Sequence, residues 1–270
     1  MKQTLRNFIQ RRGFEVVRRT DDPVLAHLRT VDEKLRSAPS ETVRHDTLLP
    51  QPAAYAHLRH LLQFHRIDLI IDVGANRGQF VRLARSLGYA GEIFSFEPMA
   101  AYGEELRRAA AADGRWRFMP AAVGEVPGEL DLHVFRDDEF SSLHAINQAG
   151  ESTFGSLVAE DHVEHVSVHT LDGMWPEISG GKAHRVLLKT DTQGHDLAVL
   201  SGATTVFPSV QAVLTEAAFL PIYDDAPLFV DLAKWLRPRG FVPSGLFPIS
   251  HRPADLALIE IDAFFTRAIA

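Results

Sequence analysis

Asp72-Val-Gly74-Ala-Asn76-Arg-Gly78 follows the apolar run Leu69-Ile-Ile71 and opens onto a helical pattern. Glycines in such a turn let a ligand approach the backbone closely, and a helix start offers free N–H groups to an anion. Glu97, nineteen residues beyond Gly78, closes a second apolar segment, Glu92–Phe96. An acid at that strand end can accept hydrogen bonds from both hydroxyls of a ribose. Turn and acid together predict an adenosine-type cofactor; taken alone, the glycines need mean no more than a tight turn. The dinucleotide fingerprint G-x-G-x-x-G requires a second glycine where Asn76 stands, so a pyrophosphate is poorly served. The amino-acid end of S-adenosylmethionine fits better. Asp72 is then expected to hold its ammonium, directly or through water, while the loop amides face its carboxylate. Ala121 and Ala122, on the expected third strand, leave room for an adenine ring or simply fill a crowded core.

Methyl transfer from a sulfonium is an in-line displacement that aligns acceptor, methyl and sulfur and excludes water. A hydroxyl acceptor needs a general base or a metal ion to take or polarise its proton. Lys189-Thr-Asp191-Thr-Gln-Gly194-His195 leaves an apolar strand where such groups belong. Asp191 is the best-placed carboxylate: general base, metal ligand or acceptor binder, against the plainer role of a helix N-cap. His195 starts the next helix and is either a base titrating near working pH or a solvated helix-start histidine. Glu216 ends a further apolar strand and, beside Asp191, suggests a shared site. With water the two acids can hold Mg²⁺, a hard cation that favours oxygen ligands. Ser141, Ser142 and His144 form a polar stretch between the third and fourth core strands. His133, His165, Ser167 and His169 allow a zinc reading, but their period-two spacing is that of a solvated strand face.

The elements that must position these residues alternate. A helix over 55–65 precedes the strand 68–74, a helix over 77–87, the strand 92–96, a helix over 99–112 and a strand over 116–123. Continuous apolar runs bounded by glycine are strands buried on both faces, as in a parallel sheet. Segments 129–135 and 165–169 alternate apolar and polar residues, the pattern of antiparallel strands with one wet face. A strand over 185–190, a short helix over 196–201, a strand over 210–215 and a helix over 226–237 resume the α/β pattern. Two closing strands, 241–247 and 255–265, are joined by a proline-containing turn. A parallel sheet that finishes in a strand pair has the shape of a class I methyltransferase.

Ile71-Asp-Val-Gly-Ala-Asn-Arg-Gly-Gln-Phe80, Phe94-Ser-Phe-Glu-Pro98, Ser141-Ser-Leu143, Thr170-Leu-Asp172 and Leu188-Lys-Thr-Asp-Thr-Gln-Gly194, in this order, resemble the FkbM family over roughly residues 61–267. Glu216 to Pro221, Tyr223, Leu228 and Ala263-Phe-Phe265 add to the likeness. The resemblance implies an S-adenosylmethionine-dependent O-methyltransferase acting on hydroxyls of sugars, glycosylated lipids or natural products, with Ser141, Ser142 and His144 covering cofactor or acceptor. Thr190 departs from the family's common isoleucine, and the position of His195 varies in the family. The expected fold is α/β: a doubly wound, mostly parallel seven-stranded sheet with an antiparallel C-terminal strand. Residues 1–54 read as a helical extension and linker, and 55–270 as the catalytic domain.

Composition is that of a globular chain, 46% hydrophobic and 23% charged in 270 residues, without cysteine. Thiolate metal sites and disulfides are therefore excluded. The net charge of −7 argues against a nucleic-acid binder. Charge is uneven: residues 1–20 carry six Lys/Arg against Glu15, leaving −12 on the remainder. This basic arm suggests peripheral contact with an anionic membrane, or a helix packed on the body with a solvated face. A second helix over 23–35 and a linker over 37–52 follow. Lacking a secretory h-region, the chain is expected in the cytoplasm. A nicotinamide oxidoreductase and a non-catalytic assembly partner are the alternatives. Asn76 and the closing strand pair weigh against the first; the intact loop, Glu97 and Asp191 weigh against the second.

Overall fold

The computed structural model describes residues 50–252 and 254–269. The basic arm, the helix over 23–35 and the linker as far as residue 49 lie outside the described residues. The chain runs α1 (Pro50–Phe64), β1 (Leu69–Val73), α2 (Gln79–Ser86), β2 (Glu92–Phe96), α3 (Gly103–Asp113), β3 (Trp116–Met119), β4 (Ala122–Val123) and β5 (Gly128–Phe135). It continues with α4 (Gln148–Phe154), β6 (Glu160–His169), α5 (Leu171–Ser179), β7 (Val186–Thr190), α6 (Asp196–Ser201), β8 (Val210–Ala218), α7 (Phe229–Leu236), β9 (Phe241–His251) and β10 (Leu258–Arg267). Helix α1 starts at Pro50, inside the expected linker. Prolines 50 and 52 fall in its first turn, where no intrahelical N–H bond is lost. Its Ala54, Leu58, Leu61 and Leu62 are buried, a helical stripe of apolar residues.

Seven strands form the main sheet in the order β3-β2-β1-β7-β8-β10-β9. β1, β2, β3, β7 and β8 run parallel. β10 is antiparallel to both of its neighbours. The expected doubly wound sheet with an antiparallel C-terminal strand is therefore present. β1, the hinge of the strand order, is buried at every residue, as its run of apolar residues, interrupted only by Asp72, demands. Strand order reverses there, so the crevice beyond the carboxyl ends of β1 and β7 is the ligand position of such a sheet.

The strand expected over 116–123 is divided. β3 stops at Met119, because Pro120 has no N–H to extend the ladder. Ala122 and Val123 instead join β5 and β6 in a separate three-stranded sheet, ordered β4-β6-β5. In that sheet β5 and β6 pair antiparallel, as their alternation implies. The expected placement of Ala121 and Ala122 on the third strand is corrected accordingly; both are buried just past the end of β3, Ala122 in β4. Helices α4 and α5 have no counterpart in the sequence reading. α5 is short and carries Pro176 within it, which masks its period. Among the described residues, no helix is long and apolar enough to cross a membrane.

Candidate active site

Register places Asp72 opposite Ser95 on one side and Lys189 on the other, so three polar side chains share one face of a buried sheet. Ser95 Oγ donates to Asp72 Oδ2 at 2.9 Å and accepts from Trp116 Nε1 at 2.9 Å. Lys189 Nζ stands 3.1 Å from Asp72 Oδ1 and 3.5 Å from Asp191 Oδ2, and donates to the Gly74 carbonyl at 2.6 Å. Burial pushes the Asp72 carboxyl up, and Lys189 and Ser95 pull it back toward the ionised form. Burial disfavours the charge of Lys189, but Asp72 and Asp191 outweigh it and hold its pKa above the ordinary lysine value. Asp72 has no exposed surface; its Oδ2 accepts from Ser95, while its Oδ1, paired in charge with Lys189, has no hydrogen-bond partner among the described residues. Lys189 therefore stands between Asp72 and Asp191, and of the two carboxylates only that of Asp191 has exposed surface.

The glycines of the turn have reasons internal to the fold. A Cβ on Gly74 would lie 1.8 Å from the Asp191 carbonyl oxygen, and φ is +80° there. One on Gly78 would meet the Trp116 ring at 2.8 Å. The loop amides are also occupied. Those of Gly74 and Ala75 both donate to the Phe96 carbonyl at 3.0 Å, and that of Gly78 to the Ala75 carbonyl at 2.7 Å. That of Arg77 donates to the Asn76 side chain at 2.7 Å. The expectation that these amides face a carboxylate is corrected. Open anion-binding capacity passes to the first turn of α2, whose N-terminus has no side-chain cap.

Glu97 stands just beyond β2, as expected. Its Oε2 accepts from the Asn76 amide at 2.7 Å and its Oε1 from the Met99 amide at 2.9 Å. Burial pushes this carboxyl up to about 7 against those two donors. Each oxygen keeps a lone pair for a further donor. Asn76 itself holds φ +46°, an uncommon backbone for a residue with a side chain. Arg77, next in the loop, pairs with Asp138 at 2.7 Å and lies over the Tyr102 ring, whose hydroxyl also donates to Asp138. This clasp ties the loop to the segment after β5.

Asp191 and Glu216 are brought together, and the joining group is one the sequence reading missed. Gln193 Nε2 donates to Asp191 Oδ1 at 3.2 Å and to Glu216 Oε2 at 3.3 Å. Its Oε1 accepts from the Tyr223 hydroxyl at 2.8 Å, and its carbonyl from Ser142 Oγ at 2.5 Å. The Gln193 backbone holds φ +51°. Glu216 sits well above the ordinary glutamate range, first through burial and then through its neighbours Glu260, Asp191 and Asp262. Glu260 and Asp262 are each pushed up to about 7, chiefly by burial. A small cavity beside them is lined by Gln193, Asp196, Glu216, Tyr223, Leu232 and Glu260, among others. The Mg²⁺ expectation does not fit this arrangement. A side-chain amide occupies the space between the two acids, and among the described residues no group of three or more His, Asp or Glu is placed to hold a metal ion.

His195 Nδ1 lies 3.1 Å from His144 Nε2. Its Nε2 faces Gly124, where an added Cβ would approach it to 3.0 Å. Burial and His144 push the His195 ring down to about 4, not near working pH as expected. It is therefore neutral at pH 7. Ser142 also accepts the His144 amide at 3.0 Å, and Ser141 Oγ accepts that of Phe135 at 3.3 Å. Ser142 thus anchors the excursion to the Gln193 loop, while Ser141 ties it back to the end of β5. Two of the strand histidines are partnered by acids: His133 with Glu160 at 2.6 Å, and His165 with Asp131.

Lys189 and Gln193 are the residues that sequence reasoning passed over. A lone cation inside the apolar run Val186–Thr190 was a usable signal for the first. The second depends on a positive φ that glutamine does not advertise.

A family model described as "Methyltransferase FkbM domain" matches residues 72–243. Among solved structures, the chain is similar to a methyltransferase FkbM from Methylobacillus flagellatus KT, with 14% identity and a TM-score of 0.46. That alignment covers 90% of this chain and 58% of the other, so the chain spans little over half the length of that protein. It is also similar to magnesium protoporphyrin IX methyltransferase from Synechocystis PCC 6803, solved with bound SAM. There identity is 11%, coverage 99% and 97%, and the TM-score 0.45. A third is the 1,6-didemethyltoxoflavin-N1-methyltransferase of Burkholderia thailandensis, at 14% identity, 95% and 94% coverage and a TM-score of 0.43. No curated protein sequence matches the chain.

Proposed function

The chain belongs to the FkbM methyltransferase family, and from that premise we propose that it methylates a hydroxyl of a sugar, glycan or glycosylated lipid or natural product, using S-adenosylmethionine. The observation that carries this reading is the meeting of Glu97, the Gly74 turn and the Asp191–Gln193–Glu216 bridge at the carboxyl ends of β1, β2, β7 and β8.

The residues present fit the cofactor. Glu97 keeps acceptor capacity for two ribose hydroxyls, the uncapped start of α2 suits a carboxylate, and Asp191 offers a partly exposed anion beside the turn. When bound, S-adenosylmethionine supplies an electrophilic methyl on a sulfonium. The protein's part is to orient the acceptor and take its proton. Glu216 receives that proton: burial next to Glu260 and Asp262 raises its basicity above that of a free carboxylate. Gln193 fixes Glu216 relative to Asp191, and Tyr223 fixes Gln193. His195, neutral and bonded to His144, shapes the wall.

The test incubates the protein with methyl-labelled S-adenosylmethionine and cell extract, and locates the label by mass spectrometry. Label recovered as an O-methyl ether of a sugar supports the reading; label on nitrogen, carbon or nucleic acid overturns the acceptor class. Calorimetry on Glu97→Ala checks the cofactor half, with affinity expected to fall at least about tenfold on losing charge-assisted hydrogen bonds. Tight binding of NAD in place of S-adenosylmethionine would favour the oxidoreductase alternative.

A further inference from the structure

Asp72, Lys189 and Asp191 form one electrostatic unit, two carboxylates around one ammonium, with one formal negative charge in excess. The three differ in what they leave open. Side-chain exposure is 0% for Asp72, 7% for Lys189 and 39% for Asp191. The excess charge is therefore presented to a ligand only through Asp191.

Asp191 also stands at the turn itself. Its amide donates to the Val73 carbonyl at 3.1 Å, and its own carbonyl oxygen fills the space where a Gly74 side chain would be. Its two carboxylate oxygens face different ways. Oδ2 is the one near Lys189, whose Nζ also donates to the Gly74 carbonyl, and Oδ1 is held by Gln193, which also donates to Glu216.

We propose that Asp191, and not the strand aspartate Asp72, is the carboxylate that binds the ammonium of the cofactor's amino-acid end. The assignment rests on the S-adenosylmethionine reading and deepens it. Asp72 then serves through Lys189, by anchoring the cation that holds Asp191 against the turn. Because the opposite oxygen of Asp191 is tied by Gln193 to Glu216, a single carboxylate spans the cofactor end and the acceptor end of the site.

The experiment needs no acceptor. Wild type and Asp191→Asn are titrated calorimetrically with S-adenosylhomocysteine, which carries the ammonium, and with methylthioadenosine, which lacks the amino-acid end. Asp191→Asn is expected to weaken S-adenosylhomocysteine at least about tenfold. Methylthioadenosine affinity should stay within about twofold, which also reports that the variant is folded. Unchanged S-adenosylhomocysteine affinity overturns the assignment, as does an equal loss for both ligands. Failure of wild type to bind either ligand overturns the cofactor reading itself, an outcome distinct from the other two.

Discussion

Asp72 Oδ1 and Lys189 Nζ face each other at 3.1 Å across two adjacent parallel strands, both side chains nearly or wholly cut off from solvent. Desolvating two charges is costly, and only close geometry with further hydrogen bonds offsets it. Here Ser95 and the Gly74 carbonyl supply those bonds. The pair thus joins the centre of the sheet to the turn above it.

Removing one partner leaves the other buried and uncompensated. Lys189→Met is expected to destabilise the protein by about 3–5 kcal/mol. The double variant Asp72→Asn/Lys189→Met should regain at least about half of that, since no net charge is then stranded. Urea unfolding of wild type, both single variants and the double measures the coupling. Additive losses would mean that the two residues do not stabilise each other.

The parallel strands were legible because residues buried on both faces must be apolar throughout, and Leu69–Val73 and Val186–Thr190 break that rule only at Asp72, Lys189 and Thr190. The place of Glu97 was legible because it directly follows the apolar segment that forms β2. What the sequence hid was contact between distant segments. Nothing in Gln193 announces that one amide bridges Asp191 and Glu216, and nothing in Gly74 distinguishes room for a ligand from room for the Asp191 carbonyl. Pro120 did signal the strand break at residue 119, but the apolar pattern on either side of it suggested continuity.

Not every residue in the family-like motifs belongs to the site. Asp172, in Thr170-Leu-Asp172, accepts from the Thr205 amide at 2.8 Å, its hydroxyl at 2.7 Å, the Val206 amide at 3.2 Å and the Thr204 hydroxyl at 2.8 Å. It clamps the start of α5 to the turn before β8. Asp172→Ala should therefore cost about 1.5–3 kcal/mol in chemical denaturation, the range of hydrogen bonds to a charged group. S-adenosylmethionine affinity should be unchanged within about twofold. A selective loss of cofactor affinity without loss of stability would reassign the residue to the site.

Asp262 sits opposite Glu216 on β10, and burial with Asp191 nearby pushes its carboxyl up to about 7. Between the ordinary aspartate value and about 7 the folded state holds a proton that the unfolded state has released. Its contribution to stability is therefore largest at low pH and falls as pH rises through that window. Asp262→Asn removes the titration. The variant's melting temperature relative to wild type should climb between pH 4.5 and pH 7.5 by at least ~2–4 °C, the equivalent of ~1 kcal/mol in a chain of this size. Comparing the two proteins at each pH cancels the opposing titration of buried histidines. A difference that is flat with pH would show that Asp262 is not held protonated.

The pH dependence of turnover addresses Glu216. Its carboxyl is raised by burial and by Glu260, which itself lies at about 7, so the pair loses its last proton at higher pH than a free carboxylate does. A base acts only when deprotonated. With saturating S-adenosylmethionine and the acceptor recovered from the labelling experiment, kcat/KM should rise as pH increases through the neutral range and then level off. Glu216→Gln keeps the bond from Gln193 but cannot take a proton. It should lower kcat by ~10²–10⁴ and abolish the rise. Gln193→Ala leaves the base in place but unaligned, so kcat should fall while the rise with pH persists. His195→Ala separates the remaining possibility: its ring already titrates at about 4, below the range of the rise. If His195→Ala removes the rise and Glu216→Gln does not, the histidine is the base and the carboxylates only orient the acceptor.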